Sequence, residues 1–164
     1  MANISAITLQ KRNKERVNIF LDGEYAFSLA AITAAYLKTG QELSEDKIAE
    51  LKMEDSYEKA KDSVMRLLGY RPRSVAEVRL KLRQKEYPDL VIERVLERFQ
   101  ELELLSDAAF ARYWVDQRET FKPRSAMALR QELMQKGVSR ELIDEAIGDL
   151  DETAAAYRAA EKKA

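Results

Sequence analysis

Tyr70-Arg71-Pro72-Arg73-Ser74 returns 51 residues further on as Phe121-Lys122-Pro123-Arg124-Ser125, with its surroundings intact. At the same offset Val64 meets Val115, Val78 meets Leu129, Arg79 meets Arg130, Leu82 meets Leu133, Gln84-Lys85 meets Gln135-Lys136, and Ile92 meets Ile143. The chain is a tandem repeat, and the fold follows from reading one copy.

Each part of the motif has a physical role. Pro72 and Pro123 disfavour helix at the residue before them, so the preceding helix has already ended at Arg71 and Lys122. Ser74 and Ser125 stand where a helix N-cap belongs, and Glu77 completes a capping box in the first copy, where the second has Ala128. Cations beside a fresh helix N-terminus face unpaired N–H groups and partial positive charge, so an anion is expected there. A phosphate or a partner's carboxylate would serve. The alternative is that the cations are solvated or bridge to acids of the neighbouring helix.

Working outward, repeat one reads as helices over 56–68, 75–85 and 88–100, with Gly69 as the stop of the first and Pro88 at the first position of the third. Val91, Ile92, Val95, Leu96 and Phe99 make the apolar face of that third helix. Repeat two reads as 107–119, 126–136 and 140–150, with Ser106 and Ser139 as caps and Gly137 ending the middle helix. Trp114 lies four residues after Phe110, and that spacing favours a core position over a stacking platform. A third copy opens at Thr153 and is expected to supply one helix by Ala164.

Before the repeats, Ile7 and Leu9, then Val17, Ile19 and Leu21, alternate with polar neighbours, and Asp22-Gly23 is a strong hairpin signal before Tyr25, Phe27 and Leu29. A sheet of two or three strands is expected, with the four cations Lys11, Arg12, Lys14 and Arg16 forming a basic tip. A short helix over 30–37 closed by Gly40 follows, then another capped by Ser44 and running to about Lys52, with the polar, acidic run 45–55 as surface and helix returning at Ser56. The fold class is mainly α: tandem three-helix repeats with a small N-terminal β-hairpin subdomain. The expected divisions are 1–54, 55–105, 106–151 and 152–164.

The net charge of −1 conceals segregation. Six cations against Glu77 lie between Arg71 and Lys85, and four against Glu132 between Lys122 and Lys136, whereas 41–56 and 140–152 each hold six acids. Basic middle helices flanked by acidic ones either pair internally or stack into a positive stripe that attracts a polyanion or an acidic protein surface.

With no histidine and no cysteine, histidine-dependent hydrolysis, thiolate chemistry and disulfides are excluded, and a zinc site nearly so. The five glycines never cluster, which excludes a phosphate-binding glycine loop. Carboxylate pairs such as Asp149 and Asp151, or Glu101 and Glu103, sit in solvated stretches without a pocket signature. No run is apolar enough to span a bilayer, and the N-terminus lacks the order of a signal peptide, so an intracellular, cytoplasmic binding protein without cofactor or metal is expected.

The run from Leu67 to Leu82, LLGYRPRSVAEVRLKL, resembles the first repeat of the bacterial RecX family of regulatory proteins. Glu103 to Arg112, then Lys122-Pro123-Arg124-Ser125 with Leu129-Arg130-Gln131-Glu132-Leu133 and Lys136-Gly137-Val138, is similar to that family's second repeat. Val17 to Phe27 is similar to its N-terminal extension. The resemblance implies a non-enzymatic modulator of the RecA recombinase that lodges in the RecA filament on DNA and restrains its extension, ATP hydrolysis and strand exchange. It therefore implies a place in recombination, DNA repair and the SOS response. From charge placement, the contact stripe is expected to comprise Arg71, Arg73, Arg79 and Arg83 with Lys122, Arg124 and Arg130. A monomer is expected, with the DNA backbone as an accessory partner. The competing reading is a stand-alone helical-repeat protein that binds DNA without sequence specificity.

Overall fold

The computed structural model describes residues 1–121 and 125–148. It divides into two compact units, Met1–Asp62 and Ser63–Ala164.

In the first unit, β1 (Ala2–Leu9), β2 (Arg16–Leu21), β3 (Glu24–Ala30) and β4 (Glu42–Leu43) form an antiparallel sheet in the order β3-β2-β1-β4. Asp22 (φ 50°) and Gly23 (φ 88°) make the expected hairpin, since a primed turn needs positive φ at both positions. Shifts of register between Ile4 and Ala6 and between Ile19 and Phe20 interrupt the simple alternation. Ile4, Val17, Ile19, Phe27, Leu29 and Leu43 are therefore buried, while Leu9 and Tyr25 are exposed. The fourth strand was not expected: it is two residues long and lies directly before the cap Ser44, whose Oγ accepts from Lys47 N at 3.1 Å.

The stretch 31–36 is a series of turns, not a helix. Only Ala34 there is buried, and Ile32 and Tyr36 face solvent, so no apolar stripe holds a helix in place. The helix from Ser44 does not stop near Lys52; α1 runs unbroken over Glu45–Tyr70. No Gly or Pro interrupts 45–68, and the acidic stretch is not simply a solvated surface. Asp55, only 5% exposed, takes hydrogen bonds at 3.1 and 3.0 Å from Arg16 and at 2.7 Å from the Ala30 amide. Arg16 consequently belongs to the core edge of β2 and leaves the basic tip to Lys11, Arg12 and Lys14. Burial alone would raise the Asp55 carboxyl, but the Arg16 hydrogen bonds, the Ala30 amide and Lys59 outweigh it and hold it below the ordinary value.

In the second unit, the end of α1 is followed by α2 (Val75–Gln84), α3 (Asp89–Glu101), α4 (Asp107–Phe121) and α5 (Ala126–Gln135), and by a helix, α6, described over 140–148. The end of α1 is set by Pro72, because the helix passes through Gly69 and stops at Tyr70. Pro88 is the N-cap of α3 and not its first helical residue. Val64, Val78, Leu82, Val91, Ile92, Val95, Leu96 and Phe99 are buried in repeat one. Phe110, Ala111, Val115, Leu129, Leu133, Val138, Ile143 and Ile147 make one cluster in repeat two.

The duplication extends to backbone detail. Tyr87 N donates to Leu82 O, and Val138 N to Leu133 O, through left-handed residues Glu86 (φ 64°) and Gly137 (φ 80°) that occupy equivalent positions. The expected partial third repeat, 152–164, lies outside the described residues.

Candidate partner-binding surface

The shared motif opens α2, and there the chain supplies its own anions. Ser74 Oγ accepts from Glu77 N at 3.1 Å, and the Glu77 carboxylate accepts from Ser74 N at 3.1 Å, which closes the capping box. Asp107, from the start of α4, accepts from Val75 N at 2.8 Å. Carboxylates of repeats one and two therefore occupy the positive end of α2, where an external anion was expected.

The same residues join the repeats. Ser74 is fully buried, and its hydroxyl donates to the Lys136 carbonyl at 2.7 Å. Lys136 Nζ lies 3.6 Å from Glu77, and the Arg71 guanidinium contacts Glu77 at 2.6 Å and stands 6.0 Å from the Phe110 ring. Burial raises the Glu77 carboxyl, but Arg71, the Ser74 amide and Lys136 together hold it below its ordinary value. Gly137 packs so closely on Ala76 that a Cβ added to it would lie 2.4 Å from the Ala76 Cβ.

The candidate cations divide by what they touch. Arg71 is engaged as above. Arg79 makes two hydrogen bonds to Glu93, at 2.8 and 3.1 Å, which raise its guanidinium and lower the Glu93 carboxyl. Arg130, 51 residues on, pairs with Asp144, the residue equivalent to Glu93. The link between middle and third helix is thus duplicated along with the fold. Arg73 is half-buried and donates to Leu67 O at 3.4 Å; Arg83 is exposed, and neither makes an ion pair among the described residues. Lys122 and Arg124 lie outside the described residues.

Leu80, Lys81 and Lys136, which line a groove beside Arg73, and Asp107, which accepts from Val75 N, were not singled out from the sequence. The signal lay in the mismatches of the repeat: Leu80 faces Gln131 and Lys81 faces Glu132 at the common offset. Trp114 packs on the repeat-two core as expected, but it is half-buried and not enclosed. Its indole N–H donates to Glu132 at 2.6 Å, and Arg118 and Lys136 stand 4.8 and 5.4 Å from its ring centroid.

No group of three or more acidic, histidine or cysteine side chains that could hold a metal occurs among the described residues. No helix there is long and apolar enough to cross a membrane. Fold and surface together define a tandem three-helix-repeat protein with a sheet-bearing N-terminal unit. Residues 2–44 match the RecX regulatory protein N-terminal domain, 60–99 the first RecX three-helix domain and 106–147 the second. The chain belongs to the RecX family, whose members are named as regulatory proteins and not as enzymes. It is 33% identical to a regulatory protein RecX of Clostridium beijerinckii over 168 residues, covering 99% of this chain and 78% of that one. It is 40% identical to one from Lactobacillus delbrueckii subsp. bulgaricus, covering 92% of this chain and 56% of that longer protein. A crystal structure of regulatory protein RecX superposes with a TM-score of 0.73 at 32% identity, covering 92% of this chain and 74% of that one. A RecX structure from Lactobacillus salivarius, at 22% identity and a TM-score of 0.54, covers 57% of this chain and 60% of that one and shares the fold.

Proposed function

We propose that the chain binds the RecA filament on DNA and restrains its extension, ATP hydrolysis and strand exchange, acting in the cytoplasm in recombination, DNA repair and the SOS response. The observation that carries this reading is the match to all three RecX regions in order, from residue 2 to residue 147. The geometry supports a binding role, because the two repeats are joined through Ser74, Glu77, Lys136 and Gly137 into one compact unit. A surface fixed in advance loses less entropy when it docks.

Within the expected stripe, Arg73 and Arg83 are proposed as direct contacts, since neither makes a salt bridge among the described residues, although Arg83 lies near enough to Glu93 to help lower its carboxyl. Lys122 and Arg124 join them by motif position. Arg71, Arg79 and Arg130 are proposed to contribute through the salt links that hold the helices presenting those contacts. Exposed Lys81 and Arg83 also suit a DNA backbone without sequence specificity, and the chain is proposed to act as a monomer.

The test is the double variant Arg73→Glu, Arg83→Glu in a DNA-dependent ATPase assay with RecA. The natural chain slows hydrolysis, and the variant leaves it running at the uninhibited rate. For an exposed position such as Arg83 the stability change stays within about 0.5 kcal/mol. A folded variant that inhibits as well as the natural chain contradicts the assignment of these two contacts.

A further inference from the structure

We infer that the groove where α2 of the first repeat meets the end of α5 in the second is a docking site for an acidic peptide segment of a protein partner, anchored by one or two large apolar side chains. This rests on the partner-binding reading above and names what the partner presents.

The groove encloses about 380 Å³. Leu67 and Leu80 supply its apolar side chains, and Arg73, Lys81 and Lys136 its positive charge. A cavity of about 150 Å³ holds a benzene ring, so this one has room for about two such groups. Leu80 is 58% exposed, whereas α2 meets the core through Val75, Val78 and Leu82.

One exposed leucine means little by itself. The duplication, however, provides an internal control. At the equivalent positions the core residues stay apolar and buried, Val78 as Leu129 and Leu82 as Leu133. The groove residues do not: Leu80 becomes Gln131, Lys81 becomes Glu132 and Leu67 becomes Arg118. In repeat two Arg118 and Glu132 pair with each other at 3.0 Å, so the same fold is built with polar residues in these places. Leu67 and Leu80 are therefore apolar for a reason other than the fold.

Charge selects the occupant. The groove's single acid, Glu77, is already neutralised by Arg71 at 2.6 Å and Lys136 at 3.6 Å. Lys81 makes no ion pair among the described residues, and Arg73 meets only the Leu67 carbonyl. Unneutralised positive charge around an apolar lining is complementary to carboxylates flanking an apolar side chain. A nucleic-acid backbone would satisfy the cations and leave Leu67 and Leu80 without a counterpart.

The test is fluorescence anisotropy of the full chain with a fluorescein-labelled peptide, Glu-Glu-Asp-Phe-Glu-Glu-Leu-Asp-Glu amide. Parallel arms use the same peptide with Ala for Phe and Leu, and a single-stranded oligo-dT. Leu80→Gln, which installs the residue repeat two carries there, and Lys81→Glu are each expected to weaken peptide binding about 5- to 10-fold. The urea midpoint of Leu80→Gln is expected to stay in place, and the Ala peptide to bind as weakly as the variants do. Equal binding of both peptides, insensitivity to both substitutions, or preferential capture of oligo-dT by the groove overturns the proposal. RecA filament pelleting, run beside it, separates the two claims. A chain that pellets with filaments but ignores the peptide at millimolar concentration loses the groove and keeps the RecA reading. One that binds the peptide through Leu80 and Lys81 but does not pellet loses the RecA reading and keeps the groove.

Discussion

Ser74 and Ser125 occupy the same position of a duplicated motif, and replacing each with alanine measures what the joint between repeats contributes. Both hydroxyls cap a helix, accepting from Glu77 N at 3.1 Å and from Ala128 N at 3.2 Å. Loss of a cap costs about 1 kcal/mol, so Ser125→Ala should cost about that much. Ser74 is fully buried and also donates to the Lys136 carbonyl, which the substitution leaves without its partner. An unsatisfied buried acceptor adds about 1–3 kcal/mol, giving about 2–4 kcal/mol for Ser74→Ala. For a unit of this size that corresponds to a fall in Tm of roughly 8–16 °C, against about 4 °C at Ser125. Glycine sharpens the comparison, because it caps almost as well as serine. Ser125→Gly should be nearly silent, and Ser74→Gly should retain the loss due to the bridge. The assay is urea unfolding followed by far-UV circular dichroism on all four variants. Equal losses at the two positions would refute the argument that Ser74 joins the repeats.

Four further outcomes follow from the same geometry. Gly137→Ala meets both a positive φ and a Cβ clash with Ala76, and should cost about 2–3 kcal/mol; in a double-mutant cycle Ala76→Gly should recover part of it, and strict additivity would remove the close approach as the cause. Glu86→Gly relieves a left-handed non-glycine residue that repeat two fills with glycine, so urea unfolding should show a gain of up to about 1 kcal/mol. Asp55→Asn leaves Arg16 half-partnered and should cost about 2–3 kcal/mol at pH 7. Because the folded Asp55 carboxyl lies below its ordinary value of 3.8, its contribution is present above that pH and is lost as pH falls through the folded value; the gap between natural chain and variant should therefore close below about pH 4 in acid titrations of stability.

The repeat, its helices and its caps were legible because each rests on local chemistry: Pro72 ends one helix, Ser74 and Glu77 begin the next, and Val91 to Phe99 mark one face. Two kinds of feature were not. Helix α1 was read as two pieces because the acidity of 45–55 suggested a solvated break, yet the partner that makes Asp55 a core residue, Arg16, is 39 positions away. Long-range pairing of this kind leaves no local trace. The strand Glu42–Leu43 was hidden for a similar reason, since its identity comes from β1 alone. At the candidate surface, charge placement pointed to α2, but it could not divide cations that brace the molecule, such as Arg79 on Glu93, from those without a salt bridge among the described residues, such as Arg83. The duplicated pair Arg130–Asp144 shows that the offset register held the means to do so.

The proposed target is a nucleoprotein filament and not bare DNA, and co-sedimentation at physiological salt separates the two. RecA filaments assembled on single-stranded DNA with a non-hydrolysable nucleotide are pelleted beside the same DNA coated on beads, each with the full chain in the supernatant at the start. The chain is expected to leave the supernatant with the filaments and to remain in the supernatant above naked DNA. Equal or greater capture by the naked DNA would contradict it.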